Sequence, residues 1–395
     1  MSAAAAARTR PPAPPAAEHA LLLACARLTL SPGEAARVRK MAASADWPAV
    51  LALARRHRMI PFLHRHLKDV PLPPGAAREL RALQREEVHR GLRMAADLRR
   101  LLCALAREGV EALAYKGPAL AVQAYGELGM RSFLDLDLLV RPHDVPRAMA
   151  VLSAEGYTPG LALSPAQERW FRRMDGDYPM VHRGTGLLLE LHARVSSERF
   201  CMPISTDALL RRSATVRVGG GEVRTLGDDD LLLVLAVHGA KHRWKRLEWV
   251  AALAELLRAG RGDVHAALRL ASGVHARRTL LLGLSLARRL LDAPLADEVV
   301  REIGADAGLA ALAAEAEARL FGEEPEGGEE TAANLRFNLR ARDRVADRAR
   351  YAARWLFAPT PEDWRWAHLP DALFPLYRLL RPVRLLLRHG RGGGR

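Results

Sequence analysis

Asp135 and Asp137 stand two residues apart in the apolar run Phe133–Val140. In a strand, period-two alternation puts both carboxylates on one face and Leu134, Leu136 and Leu138 on the other. Two ionised carboxylates so close repel each other, and a bound hard cation with oxygen ligands, Mg²⁺ above all, relieves that repulsion. A third acid, Glu190, interrupts the leucine-rich run Leu187–Leu191, and His192 follows on the same face. Upstream, Lys116-Gly117 marks a turn from strand into helix, where free backbone N–H groups and the helix dipole favour a phosphate. Asp135, Asp137 and Glu190 with Lys116 and Gly117 therefore describe a two-metal phosphoryl or nucleotidyl transfer site: one ion activates an acceptor oxygen, the other clamps a triphosphate and its leaving pyrophosphate.

Such a site needs a small sheet to hold it, and the surrounding pattern supplies one. Val110–Tyr115 reads as a short buried strand, Lys116-Gly117-Pro118 as a turn, and Ala119–Tyr125 as a helix. The strand Phe133–Val140 comes next, then a helix capped by Asp144 and closed at Gly156. Pro179–His182 and Leu187–Val195 flank Arg183-Gly184-Thr185-Gly186 as a hairpin. Helical periodicity precedes this unit and resumes after Gly219-Gly220-Gly221. The expected organisation is a disordered tail at 1–17, a helical segment at 18–95, a transferase core at 96–225, a helical domain at 226–321, an acidic linker at 322–331 and a basic helical segment at 332–395.

These residues carry a family resemblance. Leu113-Ala-Tyr-Lys-Gly-Pro-Ala-Leu-Ala121, Tyr125-Gly126 and Arg131-Ser-Phe-Leu-Asp-Leu-Asp-Leu-Leu-Val140 together resemble the bacterial nucleotidyltransferase-like family of the DNA polymerase β superfamily. Glu190-Leu-His192 is similar to its third acidic strand, and His238-Gly-Ala-Lys-His-Arg-Trp244 with Arg246-Leu-Glu-Trp249 to its helical His/Lys segment. Pro359-Thr-Pro-Glu-Asp363 and Leu379-Leu-Arg-Pro382 extend the likeness, which spans most of 50–388. The resemblance implies an α+β fold, a polymerase β-type mixed sheet flanked by helical segments, and magnesium-dependent transfer of a nucleoside monophosphate from an NTP to an unidentified hydroxyl or phosphate acceptor. Two Mg²⁺ ions, or Mn²⁺, are the implied cofactors. Two departures stand out: the usual Gly-Ser turn is Gly117-Pro118, leaving Ser132 as a partial substitute, and the third acid is Glu190 where Asp is commoner.

Other candidates take their places around this site. Arg131 either binds triphosphate or holds Asp135. His238 and His242, one helical turn apart, with Lys241 beside them, either line the nucleotide cleft or pack; the His-Glu-x-x-His zinc pattern is broken by Gly239. A toxin-like transferase acting on RNA or protein and a catalytically silent nucleotide-binding scaffold are the competing classes.

Composition sets the outer bounds. The 395 residues are 49% hydrophobic and 27% charged, which fits neither a fully disordered chain, a collagen nor a coiled-coil rod. Net charge is +15, but the basic residues are almost all Arg, with Lys only at 40, 68, 116, 241 and 245, so codon bias explains it as well as RNA binding does. Cys25, Cys103 and Cys201 are odd in number and far apart, so neither a disulfide framework nor a zinc site is expected. Arg8 and Arg10 before the apolar stretch Ala20–Ala26 imitate a secretory signal poorly, because prolines and Glu18 intervene. A cytoplasmic protein without a transmembrane span is expected.

Overall fold

The computed structural model describes residues 17–322 and 328–390. Of the expected tail only Ala17 is described, and 323–327 of the expected acidic linker also lie outside the described residues.

Four short helices open the described chain: α1 (Ala17–Cys25), α2 (Pro32–Ala43), α3 (Trp47–His57) and α4 (Ile60–Leu67). Local chemistry sets their ends. Ser31 and Glu34 form a reciprocal capping box ahead of Pro32. Asp46 caps α3, which stops where Arg58 turns left-handed at φ 56°. The long α5 (Pro74–Arg107) follows and runs unbroken through residues 95 and 96, where the helical segment was expected to end.

Beyond α5 lies the sheet region: β1 (Ala112–Ala114), α6 (Gly117–Tyr125), β2 (Asp135–Val140), α7 (Val145–Ala154), β3 (Tyr157–Pro159), α8 (Pro165–Met174), β4 (Asp177–His182) and β5 (Leu188–His192). The strands form one mixed sheet in the order β1-β2-β5-β4-β3, and β2 pairs parallel with β5 while its other neighbour, β1, is antiparallel. The α+β class is thus met. After α9 (Thr206–Arg211), a separate hairpin of β6 (Ala214–Val218) and β7 (Gly221–Thr225) turns at Gly219-Gly220, both with positive φ. The glycine run, expected only to precede the return of helix, thus forms a hairpin turn inside the expected core.

Helices α10 (Asp228–Lys241), α11 (Leu247–Arg258), α12 (Val264–Gly273), α13 (Arg277–Leu291), α14 (Asp297–Ala305) and α15 (Ala307–Phe321) complete the first large core. Their apolar side chains join those of α1, α3 and α4 in a single cluster, while the sheet, α5 and α7 build a second. The last segment is α16 (Gly328–Arg340), α17 (Val345–Phe357), α18 (Pro361–Trp366) and α19 (Tyr377–Gly390). Its arginines largely serve packing: Arg381 and Arg384 pair with Asp363, Arg354 reaches Glu198, and Arg342 is buried against the rings of Phe200 and Tyr351. No helix among the described residues is long and apolar enough to cross a membrane.

His57 joins the N-terminal helices to α11. Its Nδ1 accepts the Leu247 backbone N–H at 3.3 Å, which only an unprotonated nitrogen can do. Burial, helped by Arg56, lowers its pKa to about 4. The folded pKa lies below the unfolded value near 6.5, so its contribution is complete above pH ~6.5 and is lost as pH falls toward 4. Urea titrations should show about 3 kcal/mol of acid-sensitive stability across that window that is absent from His57→Asn. Parallel pH profiles for the two proteins would overturn this assignment.

Candidate active site

β2 brings Asp137 directly opposite Glu190 on β5, and Asp135 opposite Leu188. β5 in turn places His192 opposite Asp177 on β4. The sheet register alone therefore sets Asp135, Asp137, Asp177, Glu190 and His192 along one cleft of about 430 Å³. The same cleft is walled by α10 and the start of α11, through His238, Lys241, His242, Lys245, Arg246 and Trp249.

Lys116 occupies the N-cap of α6, and its ammonium lies 2.7 Å from Asp137 Oδ1. The reading of the turn had aimed this charge at a phosphate; the structure sets it on the carboxylate. Gly117 follows at φ +52°, where a Cβ would come 3.4 Å from the Asp135 carbonyl oxygen. Glycine is thus favoured by the left-handed turn, and a Cβ there would just touch β2.

His192 is held from both sides. Its Nδ1 lies 2.9 Å from Asp177 Oδ1, and its Nε2 lies 3.1 Å from Asp137 Oδ1 and 3.2 Å from Glu190 Oε2. Ionised carboxylates only accept hydrogen bonds, so both nitrogens donate and the ring is an imidazolium. Burial opposes that charge, but Asp177 and the hydrogen bonds to Asp137, Asp177 and Glu190 outweigh it and raise the pKa well above the usual value. Burial likewise opposes the Asp137 carboxylate, and Lys116 and His192 win there, holding its pKa far below the carboxylate range. Asp135 goes the other way: burial, then repulsion from Asp137 and Glu190, raises it.

These observations test the donor set for a metal. The potential ligand atoms of Asp137, Glu190 and His192 lie within 4.8 Å of one another. That close group leaves out Asp135, whose carboxylate lines the same cleft; an imidazolium has no lone pair to give, so within the group the donors are the oxygens of Asp137 and Glu190, with His192 as a positive charge beside them. Carboxylate oxygens suit Mg²⁺ or Mn²⁺. Burial raises Asp135 most, and the repulsion from Asp137 and Glu190 that adds to it exceeds what Lys116 and Arg58 take away.

Of the other expected site residues, Arg131 lines the cleft, forms no ion pair with Asp135 among the described residues and leaves Nη1 without a hydrogen-bond partner. Ser132 is buried, does not line the cleft and lies against Glu87 of α5. His238 and His242 meet at a 59° tilt with centroids 4.8 Å apart, and Trp249 lies edge-on to His238 at 5.0 Å and tilted to His242 at 5.5 Å. Burial first, then Lys116 for His238 and Lys241 for His242, lowers both histidines, His242 to about 3. Both are neutral aromatic faces. Trp249 belongs to the first core and also reaches the cleft wall beside the two histidines.

Asp177, Arg58 and Ser196 were not anticipated. Asp177 bridges the two walls, since its Oδ2 lies 3.7 Å from Lys241. Its signal is the alternation of β4, visible only once the register with His192 is known. In all, Arg58, Lys116, Arg131, Lys241, Lys245, Arg246 and the His192 imidazolium face four carboxylates, so the cleft is net cationic and favours a polyanion.

Residues 43–292 match the family of uncharacterised nucleotidyltransferases, and the chain belongs to that family. A solved structure, described as an antigenic nucleotidyltransferase-like protein from Paracoccidioides brasiliensis, is similar over 52% of this chain and 96% of that one, with 11% identity and a TM-score of 0.31. Comparison with curated proteins finds no match.

Proposed function

We propose that this cleft transfers a nucleoside monophosphate from an NTP to a hydroxyl or phosphate acceptor, with Asp135, Asp137 and Glu190 as the metal ligands. The observation that carries the reading is the convergence of these acids, on neighbouring parallel strands, into a cleft whose charged lining is net cationic. Mg²⁺ or Mn²⁺ held there would supply the charge that activates the acceptor oxygen and steadies the leaving pyrophosphate.

The chain's own groups do the remaining work. Lys116 and His192 keep Asp137 ionised and fix its orientation. Arg131, Lys241 and Lys245 bind the triphosphate, and the cluster of His238, His242 and Trp249 offers aromatic surface to the base. Lys116 then acts through Asp137 as a positioning residue. The three cysteines are free thiols, in keeping with a reducing cytoplasm as the place of action.

The test has two arms. Incubating the protein with each α-labelled NTP, Mg²⁺ and cell extract should move label onto an acceptor. Mg²⁺ should also raise the melting temperature by mass action on the native state, and Asp135→Asn/Glu190→Gln should abolish that shift. An unchanged shift in the double variant would sink the metal site.

A further inference from the structure

Two side chains that line the cleft hold a buried polar atom with no hydrogen-bond partner among the described residues: Arg131, through Nη1, and Ser196, through Oγ. The proposed function gives Arg131 a triphosphate. Ser196 has no such partner. It is 8% exposed and is the only serine or threonine among the described residues of the cleft wall. Its segment is firmly held. Past the end of β5, the Ala193 carbonyl accepts from Thr206 Oγ1 at 2.8 Å, Arg194 Nη1 donates to the Arg172 carbonyl at 2.7 Å, and Arg199 Nε donates to Asp175 Oδ1 at 2.8 Å. The backbone therefore has little freedom to relieve the hydroxyl, and a buried polar group left without a partner weakens the fold around it.

Resting on the transferase reading, we propose that Ser196 hydrogen-bonds the nucleoside half of the NTP, at a base edge or a sugar hydroxyl, and so selects which NTP the cleft takes. The phosphates are matched by the cations already in the cleft. The uncharged base and sugar are matched by an uncharged group, and a hydroxyl both donates and accepts. Val195, its neighbour in the chain, lines the cleft too and adds apolar surface of the kind a nucleoside covers. A serine Oγ swings about one bond among three staggered positions, so the same side chain turns from the wall to a bound nucleoside. A nucleotide without the matching group leaves the hydroxyl unpaired and is rejected.

Calorimetric titration of the full chain in Mg²⁺ with ATP, GTP, CTP, UTP, their deoxy forms and inorganic triphosphate tests the assignment. Wild type should rank the nucleotides. Ser196→Ala should bind the preferred one about three- to tenfold more weakly, the worth of one neutral hydrogen bond, and should flatten the ranking. Inorganic triphosphate should bind both proteins equally. The variant should also melt no lower than wild type, because no group of the protein bonds the hydroxyl it loses. Equal wild-type affinity for every nucleotide, or an unchanged ranking in the variant, would overturn the proposal. So would a matching loss of inorganic triphosphate affinity, which would make Ser196 a phosphate ligand, or a lowered melting temperature, which would make it structural. Wild type that binds no NTP at all would sink the transferase reading and this proposal with it.

Discussion

Asp137→Asn is expected to stop nucleotidyl transfer and weaken the fold together. Asparagine keeps the shape but removes the charge on which two buried cations depend. Lys116 lies 2.7 Å and His192 Nε2 3.1 Å from the same oxygen, and the Asp137 side chain is 2% exposed. Removing one member of a buried ion pair costs about 3–5 kcal/mol, because the partner charge remains without compensation. Turnover should fall on the order of 10²-fold or more, through loss of transition-state charge stabilisation. Asp135→Asn provides the contrast. Its carboxylate is disfavoured by burial and by its acidic neighbours, so neutralising it should cost activity without costing stability. Urea unfolding of the two variants beside labelled-NTP turnover separates these outcomes, and wild-type stability in Asp137→Asn would refute the buried charge cluster.

Asp363→Asn should produce the largest structural effect outside the cleft. The Asp363 side chain is 1% exposed and its Oδ2 accepts from Arg381 at 2.8 Å and from the Thr360 backbone N–H at 2.7 Å, while Oδ1 takes Arg384. Without the negative charge, Arg381 stays buried facing a neutral amide, again at about 3–5 kcal/mol. The loss falls on the packing of α18 and α19, which carries no residue of the cleft. Limited proteolysis should therefore cut within residues 367–377 of the variant while the sheet and α10–α13 resist. Wild-type resistance there would show that Asp363 does not hold the segment.

What was legible in the sequence follows what is local in the physics. Asp135 and Asp137 could be placed on one face because alternation needs only a strand, and Glu190 stood out as a single acid among leucines. Lys116-Gly117 announced a tight turn into a helix, and Gly117 does adopt a positive φ there. The direction of the Lys116 side chain was not local: it answers to Asp137, twenty-one residues away. Asp177 was illegible for a similar reason, since its partnership with His192 exists only through the β4–β5 register. The boundary placed at 95/96 falls inside α5, which continues to Arg107 because no helix-breaking residue intervenes. The number of arginines in the last segment left a solvated and a domain-packing role open; pairing with Asp363 and Glu198 turns several of them inward.

The sharing of one core by α1, α3, α4 and the helices from α10 onward sets an order on the protein's birth. During synthesis the apolar faces of Leu21, Leu63 and Leu67 leave the ribosome long before Leu280 and Leu312, which pack in the same cluster, have been translated. At ~5–20 residues per second the interval from Leu67 to Leu280 is on the order of ten to forty seconds. Throughout that wait the sheet between them can gather most of the second core, which Trp364 and Tyr377 complete only at the end of synthesis, whereas the first helices have only one another to cover their apolar faces.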